Sequence, residues 1–117
     1  GKWKESQKLI ASNGAVDDFF GSSVSMSGKY LVATAEGRDV GAKGKDAGAA
    51  YIFELSSEGS WKEIKTITAS DTASKDRFGS SVSMSGKNII VGANKKDKDH
   101  NDRTVSPDVG ACYMFKK

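Results

Sequence analysis

The ten residues FGSSVSMSGK stand at positions 20–29 and again at 78–87, and an identity this long within 117 residues restricts the chain to folds built from repeated units. The correspondence extends outward at the same separation, 78 − 20 = 58: Trp3 matches Trp61, Ala11 and Ser12 match Ala69 and Ser70, Asp18 matches Asp76, and Phe20-Gly21 matches Phe78-Gly79. Gly48, Ala49 and the run YIF at 51–53 match Gly110, Ala111 and YMF at 113–115, now 113 − 51 = 62 apart. The second copy thus carries four extra residues, 62 − 58 = 4, all within GANKKDKDHNDRTVSPDVG. A length change confined to one polar segment marks that segment as a loop.

Each copy is patterned as short strands. In SSVSMS the apolar Val24 and Met26 alternate with serines, the period of a strand with one face toward a core, and SGK then supplies a tight turn. YLVATA and NIIVGA are apolar runs without helical spacing, as in strands buried on both faces. After a Gly/Asp/Lys-rich loop, GAAYIFEL and GACYMFKK read as third strands, aromatic and β-branched. SWKEIKTITAS and its counterpart KWKESQKLIAS mix apolar and charged positions, as suits an outer edge. The expected fold is all-β: two four-stranded antiparallel blades of a β-propeller, with no helix. The repeats divide the chain into 1–58, with an outer strand at 1–11 and inner strands within 19–55, and 59–117, with an outer strand at 60–69 and inner strands within 78–116.

DDFFGSSVSMSGKYLVATA with GAAYIF, and KDRFGSSVSMSGKNIIVGA with GACYMF, resemble the FG-GAP repeat of integrin α-chain propellers, some fungal lectins and many secreted proteins. The first copy departs from that pattern by having Ala33-Thr34-Ala35 where Gly-Ala is usual. The resemblance implies a secreted or cell-surface setting and a protein ligand or, as the alternative, a glycan; a purely architectural role in a larger extracellular protein is a third reading. In residue terms, Phe20 and Phe78 enter the innermost strands and pack between blades, while Gly21 and Gly79 allow a backbone approach or torsion that a Cβ would obstruct. Trp3 and Trp61 mark the outer strands.

Loops joining strands 2 to 3 and 4 to 1 of a propeller emerge on one face, here at about 12–19, 35–47, 70–77 and 93–109. The candidate ligand-binding residues are Asp17, Asp18, Phe19, Arg38, Asp39, Lys96, Asp97, His100 and Arg103. Phe19 is the one aromatic in these loops outside the repeated phenylalanines, which gives carbohydrate recognition little to stack on. Integrin-type repeats bind Ca²⁺ in a D-x-D-x-D-G loop between their first two strands, where this chain has only SGK. A different candidate Ca²⁺ site is DKDHND, which places Asp97, Asp99 and Asn101 at alternate positions but has Asp102 where a turn-permitting Gly belongs.

Several functions are disfavoured. His100 is the only histidine and has no counterpart in the other copy, no G-x-S-x-G or P-loop spacing occurs, and an enzyme is not expected. The net charge is +3, yet Lys95, Lys96, Lys98 and Arg103 interleave with Asp97, Asp99, Asp102 and Asp108, so the lysine cluster is locally neutral and nucleic acid is not the expected partner. No apolar run approaches the ~20 residues of a spanning helix. Cys112 is the sole cysteine and replaces Ala50 of the first copy, as a small packing residue would.

Two blades cannot close a propeller, and an open pair exposes an unpaired strand edge. Because the Trp strand precedes the Phe-Gly strand, the last blade lacks its fourth strand and the segment around Trp3 to Ile10 is the spare piece. The expectation is a head-to-tail homo-oligomer in which each chain donates that strand, three chains giving 3 × 2 = 6 blades. Further blades of a longer chain, which a first residue other than Met permits, are the alternative.

Overall fold

Alternating serines and apolar residues cannot bury a helical stripe but do form a strand with two unlike faces, and strands with this pattern build the structure. The computed structural model describes residues 1–41, 44–70, 75–94 and 110–117. One antiparallel sheet comprises β1 (Phe20–Ser27), β2 (Tyr30–Ala35), β3 (Ala49–Leu55) and β4 (Trp61–Ile67), in that order; a second comprises β5 (Phe78–Ser85), β6 (Asn88–Ala93) and β7 (Ala111–Lys116). Both are consecutive meanders, the form expected of propeller blades. Matching registers, Val24 opposite Ala33 and Val82 opposite Val91, carry the repeat into three dimensions. Each first strand bulges just after its phenylalanine, where Gly21 (φ 92°) and Gly79 (φ 98°) take the left-handed torsion that glycine tolerates.

Two expectations need correction. Residues 1–11 form no strand, because a strand exists only by pairing and this segment has no backbone ladder among the described residues; seven strands are described where eight are expected. Residues 61–67, grouped by the repeat with the second unit, pair with β3 and complete the first sheet, because the turn at 56–60 returns the chain directly alongside (Leu55 opposite Trp61). Sheets and repeats are therefore out of phase, and the described second sheet ends at β7.

The core lies between the sheets. Val32, Ala50, Ile52 and Ile67 of the first sheet meet Phe78, Val82, Met84, Ile89, Val91, Tyr113 and Phe115 of the second. Phe78 is 1% exposed and stacks edge-on against Tyr113 and Phe115, with ring centroids 5.5 and 5.9 Å away. Its burial contributes about 2–3 kcal/mol. Thr34, fully buried, donates from Oγ1 to the Gly79 carbonyl at 2.6 Å and accepts the Ser23 N–H at 3.1 Å. The departure Ala33-Thr34-Ala35 is thus a polar pin between sheets.

β5 is the edge of its sheet, and its outward backbone donors still need acceptors. The serines of β1 supply them: Ser23, Ser25 and Ser27 accept the N–H groups of Val82, Met84 and Gly86 at 3.2, 3.0 and 3.0 Å. The face of the first sheet turned away from the second holds another apolar cluster, with Phe20 edge-on to Tyr51 (5.6 Å) and Phe53 (6.2 Å). Leu9, Ala11 and Trp61 pack against it. Phe20 remains half-buried where Phe78 is enclosed. A Cβ added at Gly21 would meet nothing within 4 Å, whereas one at Gly79 would meet Thr34 at 2.7 Å. Only the second Phe-Gly pair therefore packs between blades as expected of both.

Candidate functional site: the loop-bearing end

Phe20 pairs with Ala35, Ala35 with Ala49, and Ala50 with Ile67, so the described residues 12–19, 36–41, 44–48, 68–70 and 75–77 leave the sheets at one end. Backbone bonds join them. Gly37 donates to the Asp18 carbonyl (3.0 Å), and Lys75 and Phe78 donate to the carbonyls of Lys45 (2.8 Å) and Ala47 (2.7 Å). The opposite end is closed by tight turns at Gly28-Lys29 and Gly86-Lys87 and by the turn at 56–60.

Asp18 is buried, and its carboxylate accepts the Ala15 N–H (2.9 Å) and pairs with Arg38 at 3.0 Å. The same Arg38 nitrogen donates to the Asn13 carbonyl at 2.6 Å, while the Asn13 side chain accepts the Tyr51 hydroxyl at 3.0 Å. Burial pushes the Tyr51 hydroxyl above its ordinary value, with Arg38 opposing and Asp18 and Glu63 adding to the rise. Asp18 and Arg38 therefore tie loops together. Asp39 is exposed, although its Oδ1 accepts the Asp46 N–H at 2.9 Å. Asp17 and Phe19 face solvent, the latter 53% exposed, beside Val16 at 89%. Lys96, Asp97, Asp99, His100, Asn101 and Arg103 lie outside the described residues. Among the described residues no group of three His, Cys, Asp or Glu side chains converges as a metal site, and no helix is long and apolar enough to cross a membrane.

Nothing in the residue pattern signals the backbone at this end. Asp17, Phe19, Asp46, Lys75 and Arg77 have φ of 64, 58, 56, 65 and 59°, the described non-glycine residues in the left-handed region, and all five belong to these loops. The pairs repeat: Lys75 is the counterpart of Asp17, and Arg77 of Phe19. Each such residue costs about 1–2 kcal/mol relative to glycine. At the turn end, Gly28, Gly59 and Gly86 take the same torsion without that cost. Gly37 lets the chain cross Phe19: a Cβ there would lie 2.2 Å from the Asp17 carbonyl oxygen and 2.8 Å from the Phe19 ring.

Among curated proteins the chain has no significant match. The profile described as FG-GAP repeat matches residues 3–53 and 61–115, nearly the whole sequence in two copies. That family is a non-enzymatic propeller module typical of extracellular proteins. Two meandering sheets, each entered through a bulged Phe-Gly, together with that double match, place this chain in the FG-GAP repeat family.

Proposed function

We propose that the chain is a non-catalytic binding module of an extracellular protein, recognising a protein ligand through its loop-bearing end. The observation that supports this reading is the set of five left-handed, non-glycine residues gathered there. Such strain persists where the surroundings enforce it and collects at ligand-binding positions. It keeps charged and aromatic side chains where glycine would serve the backbone better. Exposed Val16 and Phe19, flanked by Asp17, present an apolar spot with a charged rim, which suits a protein surface.

The test is a pulldown from the source extract with the wild-type chain and with an Asp17→Gly, Phe19→Gly, Lys75→Gly variant, alongside a glycan array. Glycine keeps each torsion, so the variant retains its fold while losing the captured protein. An identical captured set with both proteins would overturn the reading, and array binding lost in the variant would replace protein with glycan as the ligand.

A further inference from the structure

The internal contact between the two sheets is a template for a contact the described chain leaves unmade. Its first-sheet side presents Ser23, Ser25 and Ser27 with Val32, Ala50 and Ile52. The outward side of the second sheet presents the matching positions: Ser81, Ser83, Ser85, Ile90, Cys112 and Met114, all exposed. The template's second-sheet side is matched in the same way by the outward face of the first sheet. There Phe20 is half-buried, Val24 is 62% exposed and Met26 is 58% exposed. One face repeats each half of a contact already made within the chain, so the two faces fit each other.

We propose that a second copy of this chain docks head-to-tail across these faces, closing a ring of two, three or four chains, which supply the four to eight blades of a propeller. In this contact Ser81, Ser83 and Ser85 accept the backbone N–H groups of Val24, Met26 and Gly28 of the second copy, repeating the serine ladder. The fourth strand comes with it. Residues 3–9 of the second copy pair with β7 in the register of β4 on β3, so that Trp3 lies opposite Lys117, Glu5 opposite Phe115 and Leu9 opposite Cys112, after Trp61 on Leu55, Glu63 on Phe53 and Ile67 on Ala50.

Two features of the unassembled chain agree with this. Trp61 and Leu31 pack on the cluster that contains Phe53, and the positions matching Phe53 and Leu31, Phe115 and Ile89, line a cleft of about 280 Å³ between the sheets beside Ile52, Ile64 and Ile67. The cleft is where the indole of an added Trp3 would lie, and Trp3 in the isolated chain is fully exposed. Leu9 and Ala11 already rest on the outward face of the first sheet, as Ile67 and Ala69 rest on its inward face. The donated segment is therefore anchored where docking needs it. One element is weaker: Gly92 stands where Thr34 does, so the new contact lacks the Thr34 hydroxyl bond.

The test uses the 117-residue chain and reads association separately from ligand binding. Light scattering should give one species of two, three or four times 12.4 kDa, stable over a concentration series. Trp3→Ala, which removes a side chain that touches nothing in the isolated chain, should weaken association at least tenfold with unchanged circular dichroism. Leu9→Cys should form a disulfide between copies with Cys112 on diamide oxidation, because residues directly opposite on paired strands fall within disulfide reach. Ile10→Cys, one residue out of register, should not. A monomer at 100 µM with no Leu9→Cys product would overturn the proposal and assign these faces to other blades. Growth into ever longer species would overturn closure.

Discussion

Replacing Thr34 by valine removes one hydroxyl from the middle of the inter-sheet contact while keeping the side chain's shape. The hydroxyl donates to the Gly79 carbonyl at 2.6 Å and accepts the Ser23 N–H at 3.1 Å, within a residue that is 0% exposed. Of the two backbone groups left without it, the Gly79 carbonyl is in a buried bond and the Ser23 N–H in a partly buried one. Loss of a net hydrogen bond costs about 1 kcal/mol, and leaving buried groups without partners adds about 1–3 kcal/mol, for roughly 2–4 kcal/mol together. Thr34→Ser keeps both bonds and deletes one methyl, costing about 1 kcal/mol. Unfolding entropy of about 2.1 cal/mol/K per residue over 117 residues makes each kcal/mol worth about 4 °C in Tm, so valine should lower Tm by about 8–16 °C and serine by about 4 °C. Thermal and urea denaturation followed by circular dichroism, at one fixed dilute concentration for all three proteins, measure both quantities. Valine within 0.5 kcal/mol of wild type, or serine as damaging as valine, would refute the account of Thr34 as a polar pin.

Gly48→Ala should abolish folding at 25 °C, since its Cβ would lie 1.9 Å from the Phe78 carbonyl oxygen at φ +94°; a cooperative melt in that variant would contradict so close an approach of the two backbones. Tyr51→Phe should cost about 1 kcal/mol at pH 7 through the lost bond to Asn13. Because the folded hydroxyl titrates above the ordinary 10.0, wild-type stability from this group is complete below pH 10 and declines as pH rises past it, so the two stability curves should converge in alkali. Phe78→Ala should cost about 3–5 kcal/mol and Phe20→Ala distinctly less in the dissociated chain, checked by the same urea assay. Calorimetric titration with Ca²⁺ should detect no binding tighter than about 10⁻⁵ M, since the Asp97, Asp99 and Asn101 triplet lacks the turn glycine of tight loops.

The strands were legible because alternation in SSVSMS and the unbroken YLVATA state a side-chain period directly, and the repeat checked each assignment against a second copy. The phase of the sheets was less so. A repeat can be cut anywhere along its length: the repeat boundary groups SWKEIKTITAS with the second unit, whereas the order of the Trp and Phe-Gly strands groups it with the first, and it is the latter that the pairing with β3 follows. The loop end was legible only in outline. Strand order assigns the segments holding Asp18 and Arg38 to one end, but the pairing of these two side chains depends on a fold-back through Asn13 and Ala15 that no local pattern encodes. Left-handed torsions at Phe19, Lys75 and Arg77 run against the preferences of those residues, so composition pointed away from them.

Phe78 makes its first hydrogen bond to Ala47 and seats its ring among residues of both sheets, so the second sheet begins inside the first. Three strands on their own are near the lower limit of independent stability. Cooperativity is therefore imposed from one side: β5 has no acceptors for its outward donors until β1 is folded, whereas β1 and β2 pair locally through a two-residue turn. The later blade therefore depends on the earlier one, and native-state hydrogen exchange should find the amides of β5 opening no less often than those of the sheet that precedes it.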